Sequence, residues 1–227
     1  MAHEWEQPMA VTSTTPAVPP IWRGWIHAGA FALAIPVGAM LVALAGPAKA
    51  RTAAAIYVAT LVVGFGTSAA YHRLARSPGW RLWMQRADHS TIYLLIAGTY
   101  TPVCLLALPP AWGLPVLAVV WTGAIAGVVL KLVAFDRTTV VGWSLYIVLG
   151  WTAVFAAPVM FRHLSGVELG LIIAGGLLYT GGSVVLATNR PNPSPRVFGY
   201  HEVWHTCTVL AGLCHFASIG LLVAAAT

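Results

Sequence analysis

Six stretches of this chain run for twenty residues or more without a single Asp, Glu, Lys or Arg, and that pattern limits what it can fold into. A helix needs about 20 apolar residues to cross the hydrocarbon core of a bilayer. The stretch over 90–130 is long enough for two crossings, with Pro109-Pro110-Ala111-Trp112-Gly113 as its turn, since proline interrupts a helix and glycine permits a reversal. The expected spans are therefore seven, over 28–48, 52–72, 90–108, 114–131, 138–161, 169–189 and 203–226. Charged residues make up 8% of the chain, against about 25% in a soluble domain, too few to solvate a globule of this length. The expected fold is an all-α, seven-transmembrane-helix bundle in a polytopic membrane protein. Residues 22–227 form the membrane domain. Residues 1–21, polar and proline-bearing towards their end, form a disordered cytoplasmic tail.

The formal net charge of +6 does not point to nucleic acid, because the basic residues sit in short segments between apolar runs and form no patch interleaved with aromatics. They set orientation instead. Arg23, Arg73, Arg76, Arg81, Arg86, Lys131, Arg137, Arg190 and Arg196 fall on the side of the N-terminus, whereas Lys49, Arg51 and Arg162 fall on the other. Nine against three predicts a cytoplasmic N-terminus and an outside C-terminus. Glu4 and Glu6 stand where a leader would be cationic, so no leader is expected. Trp22, Trp25, Trp80, Trp83 and Trp143 lie near span ends as interfacial anchors. Gly175, Gly176, Gly181 and Gly182 predict close helix packing in the sixth span. Cys104, Cys207 and Cys214 lack metal or redox spacing and read as packing residues.

His201-Glu202-Val203-Trp204-His205 opens the seventh span and matches the letters of a zinc-protease helix. Positions i and i+4 share a helix face about 6 Å apart, close enough for both rings to reach one zinc at roughly 2.0–2.1 Å. The longer protease pattern would need glycine at 208 and histidine at 211, where the chain has Thr208 and Ala211. No acidic residue follows Glu202, so a downstream acidic ligand is excluded too.

The orientation supplies other partners. His72 at the end of the second span, Asp88 at the start of the third, and His201 and His205 at the start of the seventh share one depth in the inner leaflet. Ser68 lies one turn from His72 on the same face. Three neutral imidazoles leave a fourth zinc position for water, whose pKa then falls from 15.7 towards ~7. Asp88 would take that proton or hold it by a hydrogen bond; equally, it would cap the third helix. Ser68 would orient His72 or the water, or bond back to its own helix. His72 by itself reads as an interfacial side chain more readily than as a ligand. His215 is about 15 Å further along the helix than His205 and is assigned to an interhelical hydrogen bond. His3, His27, His89 and His163 read as tail or interfacial residues, and Cys207 faces away from His205.

Ser68-Ala69-Ala70-Tyr71-His72, Arg86-Ala87-Asp88-His89-Ser90-Thr91-Ile92-Tyr93, Ala97-Gly98-Thr99-Tyr100-Thr101-Pro102 and His201-Glu202-Val203-Trp204-His205, with His215, resemble the hemolysin III family. That family is the bacterial branch of the progestin and adipoQ receptors, which include the adiponectin receptors. The resemblance covers about residues 22–226. It implies a multi-pass protein of the bacterial inner (plasma) membrane, with zinc held by His72, His201 and His205 and with Asp88 and Ser68 around the zinc-bound water. It also implies kinship with membrane hydrolases that cleave lipid amides such as ceramides, with membrane lipids as partners. Glu202 then stands outside the chemistry and is expected to pair with an arginine. Three functions remain in view: a zinc-dependent hydrolase of lipid amide or ester bonds, a pore-forming or cytolytic protein, and a non-enzymatic membrane sensor of lipid or energetic state.

Overall fold

The computed structural model describes residues 19–135 and 139–226. Most of the expected tail, together with Asp136 and Arg137, lies outside the described residues. Among those described, the chain is helical throughout: α1 (Trp25–Leu44), α2 (Ala48–Leu74), α3 (Pro78–Pro102), α4 (Pro110–Val133), α5 (Thr139–Trp151), α6 (Ala153–His163), α7 (Gly166–Thr188) and α8 (Tyr200–Ala225). Seven helices are long and apolar enough to cross a membrane, with α5 and α6 sharing one crossing. The protein is a multi-pass integral membrane protein built as an all-helical bundle.

Local chemistry sets the helix ends. Ser77 accepts a hydrogen bond from the Trp80 backbone N–H at 3.4 Å, and Pro78 occupies the first turn, where a missing N–H costs nothing. That start puts Arg81 and Arg86 on α3 itself, well before the uncharged stretch begins at 90. Asp88 is consequently an interior residue of α3 and does not cap it. Pro102 ends regular α-geometry, and Val103–Ala107 continues as a π-helical turn. Ser165 and Glu168 cap α7 reciprocally, the Ser165 N–H donating to the Glu168 carboxylate at 2.7 Å and the Glu168 N–H to the Ser165 hydroxyl at 3.3 Å.

The fifth crossing was expected to be one helix over 138–161, but it breaks at Thr152. Tyr100 of α3 enters the break: its hydroxyl donates to the carbonyls of Gly150 at 2.8 Å and Leu149 at 3.1 Å and accepts from the Ala153 N–H at 2.8 Å. The backbone groups freed by the interruption are satisfied from a neighbouring helix, as burial in a membrane requires.

The helices close into a ring in which α8 packs on both α7 and α1, and α1 through α5 pack in succession. The seam between α5/α6 and α7 is the loosest. Tyr57, Leu61 and Phe65 of α2 pack with Ala34 and Leu41 of α1 and Ile219 and Val223 of α8. Large apolar side chains such as Leu33, Val129, Phe155 and Leu177 face outward, an arrangement that lipid stabilises and water would not. Two of the four expected packing glycines lie on the α7–α8 seam: a side chain at Gly175 would strike the His215 ring, and one at Gly182 would strike Trp204 and Cys207. Gly176 and Gly181 have open space beside them, because they lie off that face.

The contact of α2 with α3 rests on Gly98, where an added methyl would collide with Thr60. The Thr60 hydroxyl is held by its own helix, donating to the Tyr57 carbonyl at 2.8 Å, so it does not yield freely. Gly98→Ala is expected to cost about 1–3 kcal/mol through overpacking, measurable as a lower unfolding midpoint in detergent titration.

Candidate metal centre

Two helix starts, one helix end and one helix interior converge at one end of the bundle. Gly24 precedes α1 in the left-handed region (φ 81°), and a Cβ there would press on the Cβ of His72 at 2.7 Å. Glycine is required on both counts: the backbone angle disfavours other residues, and the end of α2 leaves no room. Arg23 reaches from this turn to Glu202 in the first turn of α8, with Nε 2.6 Å from Oε1. Glu202 is 0% exposed, and its other oxygen accepts the Gly199 N–H at 2.8 Å, satisfying an orphan donor at the helix start. The expected pairing of Glu202 with an arginine is therefore present, and the glutamate serves as a clamp and a cap.

His72, His201 and His205 form one group whose ligating atoms all lie within 4.8 Å of one another. The Nε2 atoms of His72 and His201 are 3.3 Å apart. Two nitrogens bound to one tetrahedral zinc at 2.0–2.1 Å would be separated by about 3.3–3.4 Å, so this spacing suits shared coordination. Nδ1 of the buried His205 has no hydrogen-bond partner among the described residues. Buried ring nitrogens are rarely left so. A donor set of three imidazoles with an unsatisfied nitrogen fits a metal ion, and this group could hold one.

Asp88 and Ser68 line the same cavity as His201 and His205, and His72 does not line it. The cavity measures about 380 Å³ and continues away from the histidines along α3, past Leu95 and Thr99 to Cys104. Its far wall combines Ile147, Val154 and Phe161 of α5 and α6 with Ile173 and Leu177 of α7, and each of these is exposed. The cavity thus reaches the loose seam between α5/α6 and α7. Trp143, expected as an interfacial anchor, lines it as well; Trp22, Trp25, Trp80 and Trp83 are exposed as anchors should be.

His27 departs from the sequence reading. It was assigned to the interface because the first span was drawn from residue 28, but α1 begins at Trp25 and carries His27 inward. The ring is buried and stacks on His205, with centroids 3.8 Å apart and planes 8° from parallel. Its Nδ1 is 2.8 Å from the Ser68 hydroxyl and its Nε2 2.9 Å from that of Thr208. Among the described residues the Ser68 hydroxyl meets His27 and Asp88, and no hydrogen bond joins it to His72 or to its own helix. The depth argument that joined His72, Asp88 and His201 would have found His27 had the helix start been placed at Gly24. His89 also lines the cavity, beside Asp88. His215, as expected, makes an interhelical contact, with Nε2 3.3 Å from the Ile172 carbonyl.

Glu202→Ala would strand the Arg23 guanidinium and uncap α8. A stability loss of about 3 kcal/mol is expected, at the lower end for a broken buried pair because Arg23 keeps some solvent access, and Glu202→Gln should lose less since it retains the cap. Equilibrium unfolding of the three proteins in one detergent checks this order.

A family model described as "Haemolysin-III related" matches residues 17–216. The chain is 37% identical over 118 residues to the Bacillus cereus protein named Hemolysin-3, covering 52% of this chain and 51% of that one. It is 34% identical over 119 residues to the Hemolysin-3 homolog of Bacillus subtilis (strain 168), covering 52% of this chain and 53% of the relative. Each alignment spans about half the length of the curated relative it matches. With the family match running through every helix and including His72, Asp88, His201 and His205, the chain belongs to the haemolysin-III-related family of membrane proteins.

Proposed function

We propose that this protein is a zinc-dependent intramembrane hydrolase of lipid amide or ester bonds. The observation that carries the reading is the joining of three imidazoles, a carboxylate and an apolar cavity that reaches the seam between α5/α6 and α7. Imidazole ligands suit several transition metals, but three of them beside an open position and a carboxylate match hydrolytic zinc best. Zinc held by His72, His201 and His205 would supply a Lewis acid for a carbonyl and make water a stronger acid.

The chain's own groups do the rest. Asp88 takes a proton from the attacking water and returns it to the leaving nitrogen or oxygen, so that water is split across the cleaved bond and the carboxylate ends as it began. The apolar wall accepts a hydrocarbon chain entering between α5/α6 and α7, and desolvates the carbonyl brought to Asp88. The excess of Lys and Arg on one side supports a cytoplasmic N-terminus and an outside C-terminus, with the site in the inner leaflet of the bacterial inner membrane.

The name of the Bacillus cereus relative raises a lytic alternative. A water-filled pore needs a polar or charged lumen, and the largely aliphatic wall here favours lipid over water.

Purified protein is expected to carry one zinc per chain, and His72→Ala, His201→Ala and His205→Ala are each expected to lose it, as read by elemental analysis. Retention of the ion by all three variants would remove the centre. Asp88→Asn should keep zinc yet slow turnover of lipid amides by roughly 10²–10⁴-fold, the usual worth of a general base. Full turnover by the asparagine variant would exclude Asp88 from the chemistry.

A further inference from the structure

Several hydroxyls along the apolar length of the cavity are already engaged. Thr99, Thr180 and Ser183 each donate to a carbonyl of their own helix, and Tyr146 donates to the His89 carbonyl. Tyr179 and His215 differ. Both lie deep in the bundle yet keep part of their surface uncovered, and both line the cavity. Their ring centroids are 5.7 Å apart, on the wall where α7 meets α8. The Tyr179 hydroxyl has no hydrogen-bond partner among the described residues, and it is not one of the fully enclosed atoms left unpaired. Its free surface is therefore that of the cavity. Nε2 of His215 lies 3.3 Å from the Ile172 carbonyl oxygen, which offers no proton, so Nε2 is the donor of that bond. In the neutral ring Nδ1 is then an acceptor, and it too is unpaired without being enclosed.

Polar groups so deep in a protein are rarely left without a partner, and a hydrocarbon chain supplies none. The two groups need opposite things: Nδ1 needs a proton, and Tyr179 has one to give. A hydroxyl answers both through a single oxygen. A carbonyl or an ether leaves Nδ1 unanswered. A trans amide directs its N–H and C=O to opposite sides, whereas both partners here stand on one wall. We infer that Tyr179 and His215 form a polar subsite for a hydroxyl carried partway along the hydrocarbon chain of a lipid held in the cavity. His215 is ten residues past His205, and Tyr179 lies between Gly175 and Gly182, which meet α8 at His215 and at Trp204 and Cys207. The subsite is therefore roughly 10–15 Å from the histidine trio by helix rise. An extended chain advances about 1.2 Å per bond, so the hydroxyl falls between about carbons 8 and 12 of a chain whose carbonyl meets the histidines. That placement of the carbonyl rests on the hydrolase reading; the two unpaired groups do not.

Equilibrium binding tests this without any chemistry. Purified full-length protein in lipid nanodiscs is titrated with octadecanoic acid and with the same acid hydroxylated at carbon 2, 10, 12 or 18, none of which needs to be cleaved. The acid hydroxylated at carbon 10 or 12 is expected to bind about tenfold more tightly than the unsubstituted acid, the size of two modest hydrogen bonds. Hydroxylation at carbon 2 or 18 should bring no such gain. Tyr179→Phe removes one oxygen and keeps the ring, so it should erase most of the preference while leaving octadecanoic acid binding unchanged. His215→Leu should lower the ratio as well, a readout that a general packing defect would not move because both acids share it. Equal binding of the unsubstituted, 10- and 12-hydroxy acids, or a preference that survives Tyr179→Phe, would leave water as the partner of these groups and overturn the inference. A gain of the same size at carbon 2 or 18 would also overturn it, since that reports polarity and not position. A preference confined to carbons 10 and 12, in a protein that turns over no lipid amide or ester, would overturn the hydrolase reading and leave the subsite standing.

Discussion

The buried ion pair between Arg23 and Glu202 governs the geometry of the whole site end of the bundle. It joins the turn before α1 to the first turn of α8, two segments 179 residues apart in sequence. His27 lies one helical turn beyond Arg23, and His201 and His205 flank Glu202, so the pair sets how deeply α1 sits against α8. Backbone hydrogen bonds from Ile21 to Arg196 and from Trp22 to Val197 extend the same clamp into the preceding loop. An isolated charge at this depth would be costly, and the mutual attraction of the two groups is what lets either remain there. The 3.8 Å stack of His27 on His205 and the reach of His72 towards His201 both depend on that register.

Sequence and structure agree where a physical rule acts over many residues at once. Long uncharged runs define seven crossings because a bilayer admits nothing else of that length and composition. The histidine trio was legible for a related reason: orientation turns helix number into depth, and depth brings His72, His201 and His205 together from sites far apart in sequence. Local details escaped the same reading. Helix starts were drawn at the edge of uncharged runs, yet α3 begins at Pro78 and carries Arg81 and Arg86 within it. Such side chains reach water from the ends of a membrane helix, so a charge does not mark a boundary. The interruption at Thr152 was invisible because its partner, Tyr100, is supplied by another helix. His27 was missed through an error of three residues in one helix start.

The cavity has a polar end and an apolar length, and this asymmetry relates the site to the lipid around it. Ser68, Asp88, His201 and His205 occupy one end, while Leu95, Val103 and Ile173 represent the rest of the wall. A molecule filling it would place its polar group at the histidines and its hydrocarbon towards the bundle centre. The cavity reaches the seam where α7 meets α5 and α6 only loosely, whereas α7 and α8 are drawn together through Gly175 and Gly182. Packing is thus tight on one side of α7 and slack on the other.

The separation of 129 residues between His72 and His201 has a consequence for how the protein is made. Ribosomal synthesis delivers α2 and α3 to the bilayer long before α8 exists. Throughout that interval His72, Asp88 and Ser68 have neither the second imidazole pair nor the Glu202 clamp. The centre is therefore a late product of assembly, closed only when α8 slots between α7 and α1 and brings both of its imidazoles at once. A nascent chain halted short of that helix holds Asp88 without the α8 residues that share its cavity in the finished bundle.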